Sequence, residues 1–288
     1  MNEKTKKTGL VCEGGAMRGL FTAGVLDVFL ENDISFDGMV GVSAGATFGC
    51  NYKSRQIGRT IRYSLQFAND KRFGSFESLI KTGDLFDVEF CYHTLPNEIF
   101  PFDWDTFLDN PMKFYLVATD VKTGKPVYHE IKDRGDNELE WMRASASMPL
   151  VSKPVHVDGY ELLDGGISNS IPLEFFEHIG YNRNVVILTQ DSDYRKPAMK
   201  GLPAAKLLLK KQPAIYTAME QRHIMYNAQL DYINKREQSG EIFVIRPPKP
   251  LDIKRTEHDT DELERVYKLG RSTATEALSD IKDFLNKP

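Results

Sequence analysis

The sequence predicts a three-layer α/β fold, with helices on both faces of a mainly parallel central sheet. Two short apolar runs, residues 9–12 and 39–42, are each followed by a glycine-bearing turn and then by a helical segment. Strands that alternate with helices in this way pair in parallel. A third run, residues 184–188, contains Val-Val-Ile-Leu, which is typical of a strand buried on both faces.

The remaining elements follow from local patterns along the chain. The segment 18–30 has apolar side chains at helical spacing, and the helix expected over 44–52 is rich in small residues. Residues 55–111 are irregular and aromatic-rich, so we expect helices and loops there that cover one end of the sheet and supply an apolar pocket. The other predicted elements are strands at 114–119, 126–131, 155–157, 161–163 and 241–245, and helices at 137–147, 172–179, 203–211, 214–236 and 260–286.

The chain has no repeat, low-complexity segment or linker, and it therefore predicts a single domain over residues 1–288. The motif-bearing core spans about residues 8–190, and C-terminal helices with a last strand span about 200–286. A chain of 288 residues can bury a large core without a disulfide or a metal.

Charge and hydropathy exclude several classes of function. With 37 Lys and Arg against 41 Asp and Glu, the net charge of −4 gives no reason to expect a nucleic acid partner. No run approaches the ~18 apolar residues that a spanning helix requires. The N-terminal residues MNEKTKKTGL are not followed by the apolar stretch of a signal peptide. We expect no transmembrane segment, so any membrane contact would be peripheral.

Three cysteines, Cys12, Cys50 and Cys91, cannot all pair, and their spacing matches no zinc site. They predict reduced thiols in a cytoplasmic protein. No group of Asp, Glu or His residues has the spacing of a metal site, so we expect neither a metal nor a cofactor.

Residues 195–211 contain six basic side chains and no acidic one, with Leu and Met between them. Such a segment can rest on an anionic lipid surface as a peripheral membrane contact. An ordinary surface helix with a solvated face has the same composition. The sequence leaves both interpretations open.

The pentapeptide G-V-S-A-G at residues 41–45 has the pattern G-x-S-x-G between a predicted strand and a predicted helix. A tight turn of this kind pushes the serine hydroxyl out of the sheet edge, and the flanking glycines let the backbone pass without a Cβ clash. The pattern alone is common by chance, but its position predicts that Ser43 is a nucleophile. A serine that only caps the helix is the alternative.

The heptapeptide E-G-G-A-M-R-G at residues 13–19 lies between the first strand and the first helix. Consecutive glycines expose backbone N–H groups in a concave surface that suits an oxyanion. A phosphate-binding loop is the other interpretation. It fits less well, because both the G-x-G-x-x-G spacing and the Gly-Lys-Ser/Thr ending of a P-loop are absent.

Asp164 follows the apolar pair Leu162-Leu163 and precedes two glycines. A carboxylate at the end of one strand can reach a serine at the end of another. Taken alone, Asp-Gly-Gly is more often a turn. Beside the two earlier motifs it predicts a catalytic carboxylate.

The order of these motifs resembles the patatin-like phospholipase family of acyl hydrolases, including its bacterial members. The matching segments are E-G-G-A-M-R-G at 13–19, G-V-S-A-G at 41–45, R-A-S-A-S-M-P-L at 143–150 and D-G-G at 164–166. Each motif is weak alone, but their combination in this order is specific, and it covers about residues 8–190.

The resemblance implies a patatin-like α/β fold and a serine esterase that cleaves carboxylic acyl esters, with lipids as the class of substrate. A phospholipase A or lysophospholipase activity in lipid degradation fits it, with no calcium implied. Ser43 would be the nucleophile of a Ser–Asp dyad and Asp164 its only partner, acting through an acyl-enzyme. The oxyanion hole would be formed by Gly14, Gly15, Ala16 and Arg18.

Two positions depart from the family pattern. Ala16 stands where the family usually has a third glycine, and Glu13 stands where it often has aspartate. Because alanine is the smallest possible change, we expect the N–H group at residue 16 to remain available.

Two other functions stay open. A conventional α/β-hydrolase triad would need a histidine after Asp164 in the chain, and His178, His223 and His258 satisfy that order. The second alternative is a lipid-binding relative that keeps the fold without catalysis. The position of Ser145 shortly before Pro149 predicts a structural role for this serine at a helix end.

Overall fold

The computed structural model describes residues 7–287, so that residues 1–6 of the N-terminal segment considered above, and residue 288, lie outside the described range. Within it, eight strands form one mixed sheet with helices on both faces. The strands are β1 Lys7–Cys12, β2 Gly38–Val42, β3 Lys113–Asp120, β4 Pro126–Ile131, β5 Val155–Val157, β6 Tyr160–Asp164, β7 Tyr181–Ile187 and β8 Ile242–Ile245.

Five neighbouring strands, in the order β3-β2-β1-β7-β8, pair in parallel. The other three, β4, β5 and β6, pair antiparallel at the β3 end of the sheet. The carboxyl ends of the parallel strands therefore meet at one edge. In open α/β sheets this is the edge at which ligand sites form.

The strands that pair with the two edges of β3 determine where the site lies. On one side, β4 pairs with residues 114–119 of β3. On the other side, β2 pairs as far as Val42 opposite Val117, and β6 pairs from Asp164 opposite Ala118 onward. Each edge of a strand can pair with only one neighbour at a given residue. Strand β6 therefore pairs with the same edge of β3 as β2 does, beginning where β2 ends. Asp164 therefore lies directly beyond the end of β2.

Helices form the two outer layers. They are α1 Gly19–Glu31, α2 Ala44–Thr47, α3 Cys50–Lys53, α4 Arg59–Gln66, α5 Phe76–Thr82, α6 Trp104–Asp109, α7 Asp136–Ala146, α8 Leu173–His178, α9 Leu202–Leu208, α10 Pro213–Gln238, α11 Thr260–Glu276 and α12 Leu278–Asn286. A π-helical segment, Glu89–Ile99, and two 3₁₀ turns, Ala16–Arg18 and Gly165–Ile167, complete the described elements.

Alternation along the strands divides the core into two clusters. In β1, Leu10 and Cys12 belong to the cluster that includes α1 and α11, whereas Val11 belongs to the cluster that includes α8 and α10. Successive side chains of a strand point to opposite faces, so this is the pattern of a sheet covered on both sides. The predicted fold class is confirmed.

The contact between α1 and α11 joins the C-terminal part of the chain to the same core. A Cβ on Gly24 would lie 2.2 Å from the carbonyl oxygen of Tyr267, and one on Gly270 would lie 2.0 Å from that of Phe21. The Tyr267 hydroxyl donates a 2.6 Å hydrogen bond to the buried Asp27 of α1. Glycine on both helices allows this close approach.

Two helices that the sequence predicts as continuous are broken in the structure. The helix expected over 44–52 divides into α2 and α3, and the one expected over 260–286 divides at Ala277. Beyond that break, Phe284 of α12 packs against Phe243 of β8 with ring centroids 5.9 Å apart. Tertiary packing decides these helix ends, and the apolar period of the sequence does not reveal it.

Candidate active site

Ser43 occupies a sharp turn between β2 and α2. Its backbone has φ 54° and ψ −121°, a strained conformation for a residue other than glycine. A Cβ on Gly41 would lie 2.4 Å from the carbonyl oxygen of Gly45, and one on Gly45 would lie 2.4 Å from that of Cys12. The glycines on either side of Ser43 are therefore required by close packing, which holds the serine at the carboxyl edge of the sheet.

A buried serine of α7 fixes this turn. The Ser145 hydroxyl accepts a 3.0 Å hydrogen bond from the N–H of Ser43 and donates one of 2.7 Å to the carbonyl oxygen of Val117 in β3. The sequence predicts a structural role for Ser145, but no local pattern indicates this contact with the Ser43 backbone.

Asp164 ends β6 beside the same turn, and its carboxyl is buried. One carboxylate oxygen, Oδ1, accepts a 2.7 Å hydrogen bond from the N–H of Gly166, and the Asp164 N–H donates to the Ser147 carbonyl oxygen at 2.7 Å. The Ser43 side chain lies close enough to the Asp164 carboxyl to lower its pKa. The structure thus brings together the two residues that the sequence analysis pairs.

Burial raises the pKa of Asp164 above the usual carboxyl range. The Ser43 side chain, the charge of Arg222, the Gly166 N–H and the charge of Arg255 oppose this shift without cancelling it. A carboxylate with a raised pKa accepts a proton from a hydroxyl more readily than an ordinary aspartate does.

The glycine loop packs against the turn that carries Ser43. A Cβ on Gly14 would lie 2.7 Å from the Val42 carbonyl oxygen and 2.9 Å from the Ser43 Cβ, so a larger residue would displace one of them. The N–H groups of Gly14, Gly15 and Ala16 find no hydrogen-bond acceptor among residues 7–287. They are available to an oxyanion that forms beside Ser43.

The last two residues predicted for the oxyanion loop, Ala16 and Arg18, behave differently. Ala16 has φ 49°, in the left-handed region that favours glycine, which gives a physical reason for a third glycine at this position. The N–H of Arg18 donates to the Gly15 carbonyl oxygen at 3.1 Å within the 3₁₀ turn. Any contact of Arg18 with an oxyanion would therefore come from its guanidinium group.

An apolar cavity opens beside Ser43. Met17 and Ala44 line it next to the serine, and Met142 of α7 forms another part of its wall. The aromatic region 55–111 supplies much of the remainder, as the sequence predicts. The aromatic residues of this region that line the cavity are Tyr63, Phe73, Phe86, Tyr92, Phe102 and Trp104.

A family model described as patatin-like phospholipase matches residues 10–176, more than half of the chain. The chain belongs to the patatin-like phospholipase family. It is 29% identical to the uncharacterized protein YjjU of Escherichia coli K12, over 98% of this chain and 80% of YjjU. It is 24% identical to the lysophospholipase NTE1 of Candida albicans over 95% of this chain, but it spans only 20% of the length of that protein.

Two further similarities extend beyond residue 176 of the patatin-like chain. A model of a domain of unknown function, DUF6363, matches residues 212–286. The crystal structure of VipD from Legionella pneumophila aligns with 96% of this chain and 67% of that one, with a TM-score of 0.45 and 12% sequence identity.

Residues beyond the patatin match contact the glycine loop and the turn that follows Asp164. The buried Glu13 accepts hydrogen bonds from the Thr189 N–H at 2.7 Å and from the Tyr226 hydroxyl at 2.5 Å. Arg222 lies one turn before Tyr226 on α10, and its Nε donates a 2.5 Å hydrogen bond to the Gly166 carbonyl oxygen. The sequence analysis misses these residues. Their four-residue spacing on one helix face is the signal that could have linked them.

The three candidate triad histidines lie elsewhere. The rings of His223 and His258 hydrogen-bond to backbone carbonyl oxygens at 3.0 and 2.5 Å. His178 is the last residue of α8. Among residues 7–287, no histidine side chain hydrogen-bonds to either member of the Ser43–Asp164 pair.

The basic segment 195–211 divides into two parts with different surroundings. In α9, Leu207 and Leu208 are 76% and 71% exposed. Lys196 instead faces α10, where its N–H and carbonyl oxygen bond to the side chain of Asn227 at 2.8 and 3.0 Å. In the described part of the chain, no helix is long and apolar enough to cross a membrane, and no three His, Cys, Asp or Glu side chains are grouped as metal ligands.

Proposed function

We propose that this patatin-like chain hydrolyses acyl esters of lipids with a Ser–Asp dyad. Ser43 is the nucleophile, Asp164 is the proton acceptor, and the glycine loop holds the oxyanion. The observation that carries the proposal is the position of the buried Asp164 carboxyl directly beyond the end of β2 and beside the Ser43 side chain, which itself lines an apolar cavity.

In the first half of the reaction, the Ser43 oxygen attacks the ester carbonyl carbon while its proton passes to the Asp164 carboxylate. The carbonyl oxygen becomes an oxyanion within reach of the N–H groups of Gly14, Gly15 and Ala16. When this intermediate collapses, the bond to the alcohol breaks and the alcohol oxygen takes the proton from Asp164. The acyl group stays on Ser43.

In the second half, water attacks the acyl-enzyme and gives a proton to Asp164. The second tetrahedral intermediate then releases Ser43, which regains its proton from Asp164, and the carboxylic acid leaves. Asp164 therefore serves as base and as acid in turn, and no histidine is needed. Its raised pKa suits both roles.

The cavity supports lipid esters as the substrate class. An acyl chain bound among Tyr63, Phe73 and Phe102 would leave water and place its carbonyl carbon at Ser43. Burial of apolar surface provides about 0.8 kcal/mol per methylene group. A long acyl chain is therefore favoured over a short one in this cavity.

Covalent labelling tests the nucleophile. We expect a fluorophosphonate to modify Ser43 alone, as seen by mass spectrometry of tryptic peptides, and Ser43→Ala to abolish the label. Hydrolysis of a neutral p-nitrophenyl ester should fall by about 10⁴-fold or more in Ser43→Ala, because that serine carries the covalent step.

Ser64→Ala is the matched control. Ser64 is fully buried in α4, and its hydroxyl has no hydrogen-bond partner among the described residues. This variant should label and hydrolyse as the wild type does. A folded wild-type protein that takes no label would favour the non-catalytic, lipid-binding alternative.

A further inference from the structure

Four cationic side chains gather on the Asp164 side of the dyad. Arg18 follows the glycine loop, Lys196 lies in the segment after β7, Arg222 lies on α10, and Arg255 lies between β8 and α11. Among residues 7–287, none of the four forms an ion pair with a carboxylate.

A hydrogen bond and a cation–π contact place two of these cations close to the dyad. Arg222 donates to the carbonyl oxygen of Gly166, the residue whose N–H binds the Asp164 carboxylate. The Lys196 ammonium lies 4.4 Å from the centre of the Tyr226 ring, and Tyr226 is one turn from Arg222 on α10. Lys196 therefore packs against the face of α10 that carries Arg222 and Tyr226.

The positive charges of this group act on one another. Burial, followed by the charges of Arg222, Arg18 and Arg255, lowers the pKa of Lys196 to about 8, against a raising effect of Glu13. Burial and the charges of Arg18 and Arg222 also lower the pKa of Arg255. The Arg18 Nε is buried without a hydrogen-bond partner in the described part of the chain.

Two carboxylates lie in the same neighbourhood, and they offset only part of the positive charge of the group. Glu13 accepts hydrogen bonds from the Thr189 N–H and the Tyr226 hydroxyl, and Asp164 accepts one from the Gly166 N–H. Four cations face two carboxylates. An anion bound among the cations would relieve their mutual repulsion and form charge-assisted hydrogen bonds.

The position of the group relative to the cavity indicates which part of a substrate it meets. None of the four cations lines the apolar cavity, which reaches Ser43 from residues 16–148. Arg59, a basic residue that does line it, already donates to the Asn51 side chain at 2.8 Å and to the Phe100 carbonyl oxygen. With the acyl chain in the cavity, the alcohol part of the ester extends toward Asp164 and the cations.

We infer that Arg18, Lys196, Arg222 and Arg255 form a subsite for a phosphate group on the alcohol side of the ester, and that the C-terminal segment 212–286 helps to build it. This inference rests on the proposed function and narrows its substrates to phosphate-bearing lipid esters. Three arginines and a lysine suit a phosphate group, because one guanidinium group can donate two hydrogen bonds to two phosphate oxygens. Arg222 and Arg255 lie within 212–286, which gives this segment a role in substrate selection.

A pair of substrates with the same acyl chain tests the subsite. Lysophosphatidylcholine carries the phosphate and monoacylglycerol does not, and both are presented in the same neutral-detergent micelles. We expect Lys196→Gln to lower the ratio of kcat/KM for the phosphate ester to that for the neutral ester by about 10-fold or more, since one charge-assisted hydrogen bond is lost. Arg255→Gln should lower the same ratio.

Arg195→Gln is the matched control. It removes a positive charge one residue away, from a side chain that is 49% exposed and pairs with Asp231 on the surface at 3.1 Å. Its ratio should equal that of the wild type. A Lys196→Gln ratio equal to that of Arg195→Gln would overturn the inference, as would a wild type that hydrolyses both esters equally well.

Binding to the Ser43→Ala protein separates the subsite from the chemistry. We expect calorimetry to detect glycerophosphocholine binding that Lys196→Gln weakens about 10-fold or more. Binding of inorganic phosphate with no binding of glycerophosphocholine would assign the site to free phosphate and overturn the inference. If neither ester is hydrolysed by the wild type, the proposed function fails, and this binding assay still decides whether the subsite exists.

Discussion

The two sides of the Ser43–Asp164 pair differ in chemistry and in their origin along the chain. The side toward Ser43 is an apolar cavity with many aromatic rings, drawn from residues 16–148. The side toward Asp164 is polar and cationic. Of its four cations, Arg18 comes from the region that the patatin model matches, and the other three come from residues after 176.

This difference separates the reaction from the choice of substrate. The matched region carries the proposed nucleophile, the proposed base, the proposed oxyanion loop and the cavity. The later region adds a charged surface that can distinguish one alcohol group from another. Changes on the two sides should therefore alter two separate properties, acyl-chain preference and headgroup preference.

Among the changes that test this comparison, Asp164→Asn should have the largest effect, because Asp164 lies between the two sides and would act on every substrate. We expect kcat to fall by about 10³-fold for both the phosphate-bearing and the neutral ester, through loss of the proton acceptor. Asp120→Asn is the control, since Asp120 lies on β3, which pairs with β6, but caps the following turn through Lys122 and Thr123. A loss confined to the phosphate ester would assign Asp164 to the cationic side alone.

The pH profile should follow from the raised pKa of Asp164. A protonated carboxyl cannot accept the Ser43 proton, so kcat/KM should fall about tenfold per pH unit below that pKa. Because the pKa is raised, this decline should begin above the value of ~4 expected for an ordinary aspartate. Initial rates on a neutral p-nitrophenyl ester between pH 4 and 8 measure it. Activity that stays constant down to pH 4 would contradict the raised pKa.

Leu139→Trp sharpens the comparison on the apolar side. Leu139 lines the cavity and is half-buried, so a larger ring there should obstruct long acyl chains more than short ones. We expect the ratio of kcat/KM for a C16 ester to that for a C4 ester to fall about tenfold. The headgroup ratio that Lys196→Gln lowers should stay unchanged. Leu208→Trp, on the exposed face of α9, is the control, and an equal effect there would exclude a specific role of the cavity.

The motif-bearing half of this site could be predicted from the sequence because its signals are local. Short strands, glycines and small residues around Ser43 indicate a strand-to-helix turn, and the structure adds the contacts that make Gly41 and Gly45 necessary. The meeting of Ser43 with Asp164 is different. It depends on β6 pairing with the same edge of β3 as β2, further along the strand. Before the structure, only the combination of the three motifs and the family resemblance indicate that the two residues meet.

The cationic half could not be predicted in the same way. Lys196 stands in a run of basic residues whose other members, such as Lys200, have no visible difference from it in the sequence. What distinguishes Lys196 is its contact with Asn227 and Tyr226 of α10, about thirty residues later. Arg255 lies in an irregular segment without periodicity. Charges that meet only through the tertiary fold leave no local pattern.

The smallest expected effect concerns Ala16, where the loop departs from the family pattern. Its φ of 49° is unfavourable for alanine by about 1–2 kcal/mol. Glycine removes that strain, but it also makes the unfolded chain more flexible. The added flexibility offsets about 0.4–1 kcal/mol of the gain in the free energy of unfolding. We therefore expect Ala16→Gly to raise the free energy of unfolding by up to about 1 kcal/mol in urea titrations, with kcat within about twofold of wild type.

The same substitution in the adjacent helix should have the opposite sign. Ala23 lies inside α1, where glycine is less favourable than alanine by about 1 kcal/mol. If Ala16→Gly instead destabilises the protein as much as Ala23→Gly does, the loop does not hold residue 16 in the left-handed region. The direction of the Ala16 N–H would then differ from the one that makes it an oxyanion donor, and only Gly14 and Gly15 would remain for that role.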